Sequence, residues 1–450
     1  MIDENPFDYY LLTEPRKKVW NYYRLHSVAS DGYPVTRSAF DDSRTVEHPM
    51  SGAYMILEIL NAGKNGNPDT RLINERADQV AIAAQNRMEE LNDSYVYFYE
   101  PDDGVTPYQF KFFSALTQAR YLGAIGRLYL QTKKPEHKDF AFALARSFRI
   151  PVEEGGIFLE NDLGCFFEEY PTELPLYVLN GWISVLNELF IHARKLKDNQ
   201  IKDLAQRSAR TLADMLPLFD MPEMMSTRYK LTGPVTSRVR FDKPQDVKID
   251  KITINTGNKI LKKSIADSQS YGTFEVVRLP EEAQPYFQFK ASLTMVRYPA
   301  ASNIKLELTS ECDQKCEWHI GITQYNPKFV TQKIVGFRSL GKFYLERGKN
   351  EIELEIPLDI LVPSVAPAVG FTKKIDGKLY NAYHFIHVKG LAQLYGEFGL
   401  GKFKHFHKRW LDYVDKWPEF PMYSDPELAL EPWVDGWAGA QIGVGGEVAP

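Results

Sequence analysis

The chain has 450 residues, a formal net charge of −5, and 44% apolar against 25% charged residues. Such proportions belong to a folded chain with a sizeable core, and at roughly 100–200 residues per domain the length suits two to four domains. They exclude a disordered, collagen-like or disulfide-stapled chain, and they leave no bulk positive field to hold nucleic acid or an anionic membrane. From about residue 14 to 230 the apolar positions recur every three or four residues, which predicts helices over Met50–Leu60, Asp69–Leu91, Phe112–Leu130, His137–Ser147, Leu174–Leu196 and Ile201–Leu216. Breaks rich in Pro, Gly and Asp, such as Tyr99-Glu100-Pro101-Asp102-Asp103-Gly104, separate them. From about 232 to 375 the period becomes two. Tyr286–Lys290, Ile304–Leu308 and Glu351–Ile356 alternate strictly, and Lys251–Asn255 runs into a turn at Gly257-Asn258. One apolar face per strand predicts antiparallel sheets packed on one side, most economically a β-sandwich. The helical period returns from Tyr380 to about Trp417, and a Pro-, Gly- and Trp-bearing tail follows Pro418. The predicted class is α+β, a helical body over 1–231 and 377–450 interrupted by an inserted β-sandwich at 232–376.

Aromatic residues reach 13%, which suits the stacking of sugar rings and a large core equally. The three cysteines, Cys165, Cys312 and Cys316, are too few for a disulfide framework, and a lone Cys-x-x-x-Cys pair makes no zinc site. The opening Met1-Ile2-Asp3-Glu4-Asn5-Pro6 has neither a basic nor an apolar signal region, so the expected location is the cytoplasm. No stretch approaches the ~18 uncharged apolar residues of a membrane span.

Three clusters carry chemistry. In Phe167-Glu168-Glu169-Tyr170-Pro171-Thr172, leading to Tyr177-Val178-Leu179-Asn180-Gly181, two acids and a phenol sit at a break before a helix. There, burial and neighbours can tune them for proton transfer. The plainer reading is exposed acids favoured by a helix N-terminus. In Tyr383-His384-Phe385-Ile386-His387, the histidines orient a tyrosine or a substrate carboxylate rather than bind a metal, since no acid completes a ligand set. In Thr227-Arg228-Tyr229, the guanidinium can clamp a carboxylate; the plainer reading is a surface Arg beside a half-buried Tyr. No nucleophile elbow, phosphate loop, dinucleotide fingerprint or zinc-protease motif is present.

Taken in order, these clusters resemble the C-terminal catalytic domain of the D-glucuronyl C5-epimerases, which turn glucuronate into iduronate within a glycan. Phe113-Ser114-Ala115-Leu116-Thr117-Gln118-Ala119, Met215–Asp220 and Ala382–Val388 are similar to further segments of that family, so the resemblance covers roughly 45–230 and 378–415. It implies an (α/α) toroid, no redox or metal cofactor, a uronate-containing glycan as substrate and a homodimer. It also implies catalytic roles for Glu169, Tyr170 and Tyr383 and a functional role for Tyr229. Arg228, His384 and His387 are then the groups expected to neutralise the uronate, with Gln118, Asn180 and Glu168 as further substrate contacts. Nothing here resembles the family's N-terminal β domain, and the β region separates two segments that lie close together in the family. The expected chemistry has Tyr170 and Tyr383 flanking the sugar ring, their phenols made acidic by positive neighbours, and Glu169 as base or polariser. A polysaccharide lyase using the same C5 carbanion, a glycoside hydrolase with two separated carboxylates and a non-catalytic glycan-binding protein are the competing readings.

Overall fold

The computed structural model describes residues 2–429 apart from 3, 39, 65–68, 107, 173, 256–259, 265–273, 278–285, 297–302, 327–330, 357–370, 376–377 and 420–427. The turn expected at Gly257-Asn258, and the tail beyond Ala429, lie outside them. Helices arrive in neighbouring pairs: Ser51–Lys64 packs on Thr70–Gln85, Ala115–Thr132 on Pro135–Arg146, and Leu179–Leu196 on Asn199–Phe219. Their starts are set locally. Asp69 accepts from the Leu72 amide at 3.0 Å, and Asp198 accepts from Gln200 and Ile201, both at 3.1 Å, satisfying donors that have no partner inside the helix. The last pair, Ala382–Phe398 and Gly401–Lys416, packs back on Leu179–Leu196 and Asn199–Phe219. Residues some two hundred positions apart thus share one helical body.

The helical half is less purely helical than its periodicity predicts. Short antiparallel ladders interrupt it at Leu25–Val28 with Pro34–Arg37, Glu89–Leu91 with Ser94–Val96, Phe98–Tyr99 with Phe112–Phe113, and Phe158–Asn161 with Gly164–Phe167. Consequently one helix stops at Gln85 rather than Leu91, and two later ones begin at Ala115 and Leu179 rather than Phe112 and Leu174. The last hairpin turns at Gly164, whose φ of +124° disfavours other residues and where a Cβ would overlap the Thr211 side chain.

The β region contains two antiparallel sheets. One orders its strands as Phe274–Val277, Tyr286–Thr294, Thr232–Phe241, Gln314–Asn326 and Thr331–Leu345; the other as Ile260–Ser264, Val247–Asn255, Asn303–Ser310 and Gly348–Glu355. The period-two pattern does what it predicts. Ile304, Leu306 and Leu308 are buried, as are Ile252, Ile254 and Ile352 on neighbouring strands, while the intervening polar residues are not. At about 1.5–3 kcal/mol per buried aliphatic side chain, this register is strongly held, because a one-residue slip would turn every one of them outward. The first sheet is fastened to the helical body where the chain enters it. The Leu231 amide donates to Leu176 O at 3.0 Å, Met295 N to Leu231 O at 2.8 Å, and Thr232 Oγ1 to Pro175 O at 2.6 Å. No helix among the described residues is long and apolar enough to cross a membrane.

Candidate active site

The Phe158–Phe167 hairpin delivers Glu168 and Glu169 into the interior, not to an exposed helix start. Both are nearly fully buried, at 1% and 4% exposure. Burial, the largest influence on each, pushes both carboxyls up to about 7 against the hydrogen bonds that favour their charged forms. Their partners then separate their roles. Glu168 accepts the amides of Leu176 (3.0 Å) and Tyr177 (3.3 Å), which pins the loop between the hairpin and the helix at Leu179. That loop needs pinning, since Tyr177 holds a φ of +54°, a left-handed conformation costly for a bulky residue. Its ring packs on Phe166, 5.1 Å between centroids. Glu168, an expected substrate contact, is thereby engaged with backbone and is not among the cleft-lining residues.

Glu169 has other company. Tyr170 and Tyr229 both donate to its carboxylate, with the charges of Arg120 and Lys230 nearby. Its Oε2 is buried with no hydrogen-bond partner and lies over Gly181 in the first turn of helix Leu179–Leu196. A Cβ at 181 would overlap that oxygen. The obstruction is the far end of a flexible side chain, so a Gly181→Ala protein is expected to fold, aided by alanine's greater helix propensity of about 1 kcal/mol. It should lose at least roughly tenfold in kcat, because the displaced carboxylate no longer meets both phenols. Circular dichroism with steady-state rates on one preparation checks this. An active Gly181→Ala enzyme would show that the carboxylate position is not critical.

The loop fixes Tyr229 as well, since the Leu179 amide donates to Tyr229 O at 2.8 Å. Tyr383, at the start of helix Ala382–Phe398, meets Tyr229 edge to face at 4.8 Å between centroids. Tyr170 packs on Tyr108 (5.3 Å) and Phe112 (6.0 Å), and Phe112 stacks nearly parallel on Tyr99 at 5.0 Å. Of these rings, Tyr108, Tyr170 and Tyr229 border a cleft of about 270 Å³ whose lining is completed by Val105, Thr106, Leu176, Val178 and Lys230. This lies near the small end of the range for ligand clefts, roughly 300–1,000 Å³. The aromatic wall and Lys230 escaped the sequence reading. Tyr108, Phe110 and Phe112 lie at alternate positions in a Pro-marked loop, and Lys230 directly follows Tyr229; these were the available signals.

One electrostatic expectation is reversed. The phenols of Tyr170 and Tyr229 are held well above the ordinary value near 10, by burial first and by Glu169 second, not lowered by cations. They are neutral proton donors across the physiological range, and Glu169 is the group of the three that changes charge near neutrality.

The other expected contacts lie elsewhere. Arg228 is fully buried and directed at Glu223, 3.8 Å away, so it is neither a surface residue nor part of the cleft lining; burial lowers its guanidinium to about 10. His384 and His387 are also fully buried, and desolvation lowers the first to about 4 and the second well below its ordinary value, so both are neutral. Thr227 Oγ1 bridges them, at 3.3 Å and 2.7 Å from their Nδ1 atoms, and His384 Nε2 meets Trp410 O at 2.9 Å. The pair ties the helix bearing Tyr383 to the strand that precedes Tyr229. Gln118 is spent on Tyr95 O (2.8 Å), Ser147 Oγ (3.1 Å) and the Tyr97 amide (3.3 Å). Asn180 is buried in the helix turn beside Gly181. All three cysteines are unpaired, and among the described residues no three His, Cys, Asp or Glu side chains gather as metal ligands do.

Comparison with known proteins bears on this site. An uncharacterised protein of Methanocaldococcus jannaschii is 28% identical over 110 residues, covering 24% of this chain and 36% of that protein, so the chain spans about a third of the curated relative it matches. Among solved structures, an endo-beta-1,4-glucanase of Acetobacter xylinum aligns over 50% of this chain and 63% of its own at 10% identity, with a TM-score of 0.33. The unsaturated glucuronyl hydrolase of Bacillus sp. GL1 aligns over 50% and 70% at 13% identity, with a TM-score of 0.27. Likenesses that loose carry no argument about the chemistry. The family models are more specific, matching the D-glucuronyl C5-epimerase C-terminus over residues 93–266, a stretch that leaves out the segment around Tyr383. Those matched residues include Glu169, Tyr170, Tyr229 and Lys230, so over this part the chain is similar to the D-glucuronyl C5-epimerase C-terminus.

Proposed function

We propose that the chain inverts C5 of D-glucuronate residues in a glycan, giving L-iduronate by removal and return of the C5 proton on opposite faces of the ring. The observation that carries this reading is one carboxylate, Glu169, hydrogen-bonded to two protonated phenols, Tyr170 and Tyr229, which both reach the cleft. The C5 proton lies alpha to a carboxylate, and its loss sends the electron pair into the carboxyl group as an enediolate. Since neither phenol ionises near neutrality, the proton leaves by relay. One phenol oxygen takes it from C5 while passing its own hydroxyl proton to Glu169. The second phenol then protonates the opposite face, and Glu169 returns its proton to that second oxygen. The enzyme ends in its starting state because one carboxylate serves both phenols.

Tyr383 supports the ring of Tyr229 in this scheme and takes no proton. Tyr108 and Tyr170, which line the cleft and pack on Phe112, offer the aromatic faces on which sugar rings stack. For the architecture, we take the helical pairs as an (α/α) toroid and the two sheets as a sandwich inserted at 232–376.

Deuterium at C5 tests the reading. With glucuronate-containing oligosaccharides in D2O, deuterium should enter C5 as iduronate signals grow and the chain stays intact, because the phenol hydroxyls exchange with solvent between turnovers. An unsaturated product absorbing in the ultraviolet would make the enzyme a lyase on the same carbanion. No label from any such glycan would sink the epimerase reading.

A further inference from the structure

A reaction that builds charge on a carboxyl group needs a fixed cation facing it, since preorganised charge at the developing anion is usually the largest catalytic contribution. Arg228, His384 and His387 do not supply one: the arginine faces Glu223 and the histidines are neutral. Lys230 lines the cleft beside Tyr229. Its ammonium is largely desolvated, which lowers its pKa, yet it forms no ion pair or hydrogen bond with any described residue, and Glu169 acts on it only through the field. Its backbone is held on both sides, by the Leu179 amide on Tyr229 O and by the Leu231 amide on Leu176 O. Beyond it the chain passes directly into the strand Thr232–Phe241. A rigidly mounted, half-buried ammonium without a counter-ion is costly unless an anion arrives to meet it.

We propose that Lys230 receives the carboxylate of the substrate's uronate ring and sets the preference of the cleft for a hexuronate over the corresponding neutral hexose. This rests on the epimerase reading, and it adds the residue that recognises the acid. A lysine suits the task because a compact point charge can stay with the carboxyl group as it becomes an enediolate. The same charge also favours the ionised form of Glu169, a second effect that the test must separate.

The experiment titrates the full chain with methyl β-D-glucuronoside and with methyl β-D-glucoside, following protein or ligand signals by NMR. The wild type is expected to bind the glucuronoside at least about tenfold tighter, as one charge-assisted contact in a desolvated site implies. Lys230→Gln should bring the two affinities within about twofold while leaving the glucoside affinity unchanged, which also shows that the cleft is folded. Lys230→Arg should keep part of the preference. If the wild type discriminates and Lys230→Gln discriminates equally, the assignment of Lys230 is overturned and the epimerase reading stands. A variant that only shifts the pH–rate profile, with its preference for the acid intact, overturns it too and leaves Lys230 as a partner of Glu169. A wild type that does not discriminate overturns both.

Discussion

Glu169→Gln is expected to lower kcat for C5 exchange by at least about 10²-fold, the usual floor for losing a positioned acid–base group. Glutamine keeps the shape and can still accept from Tyr170 and Tyr229, but it cannot take the proton that the relay hands over. The wild-type rate should show the same group. With its carboxyl at about 7, Glu169 is protonated below neutrality, so kcat/KM should fall roughly tenfold per pH unit on the acid side and level off above. In Glu169→Gln that limb should vanish from whatever activity is left. Stability carries an independent signature. The folded carboxyl titrates at about 7 and the unfolded one near 4.5, so between these values the folded protein binds the extra proton and loses stability as pH rises. Glu168 shares this window, which makes its removal a poor control. Relative to wild type, Glu169→Gln should therefore gain stability between pH 5 and pH 8, by up to about 3 kcal/mol for a shift of this size, seen as a rise in melting temperature. Any constant cost of a poorly paired amide cancels in that difference. Parallel melts at the two pH values, with exchange rates on the same samples, check both parts. An unchanged acid limb in the variant would remove Glu169 from the proton path.

Tyr170→Phe and Tyr229→Phe should each reduce interconversion of the two epimers by about 10²–10⁴-fold, since either change leaves one face of the ring without its donor. The double variant should be little worse than either single one, because the two phenols act as a unit through one carboxylate. Tyr383→Phe is the contrast. Tyr383 lies edge to face on Tyr229, so the ring contact survives loss of its hydroxyl, and the expected loss is well under tenfold. Half-reactions sharpen the test. A protein with one phenol can still wash deuterium into C5 of one epimer without forming the other, and NMR distinguishes retention from inversion. Strong loss in Tyr383→Phe with activity kept in Tyr229→Phe would exchange their roles.

Much of this was written in local sequence. The Ile304–Leu308 and Glu351–Ile356 alternations fall on strands that turn Ile304, Leu306, Leu308 and Ile352 inward, and the helical periods read at 69–91, 112–130 and 201–216 overlap helices at 70–85, 115–132 and 199–219, because a regular period is a property of the element itself. The resemblance singled out Glu169, Tyr170, Tyr383 and Tyr229, and the fold brings them together beside the cleft. Short ladders such as Phe98–Tyr99 with Phe112–Phe113 were not legible, since two-residue strands are held by partners a dozen or more positions away and leave no period of their own.

By itself, then, the sequence determined the longer helices and strands, the buried face of the strictly alternating strands, and the residue types available for proton transfer. Three matters were decided only in the tertiary structure. Glu168 and Glu169 are chemically identical neighbours, yet one receives the Leu176 and Tyr177 amides and the other two phenols. The pKa of each phenol went up rather than down, because desolvation depends on everything packed around a group and not on the residues beside it in the chain. Arg228 and Lys230 stand two positions apart, but the first turns to Glu223 and the second to the cleft. In each case the deciding partner lies elsewhere along the chain, and contacts of that kind exist only once the chain has closed on itself.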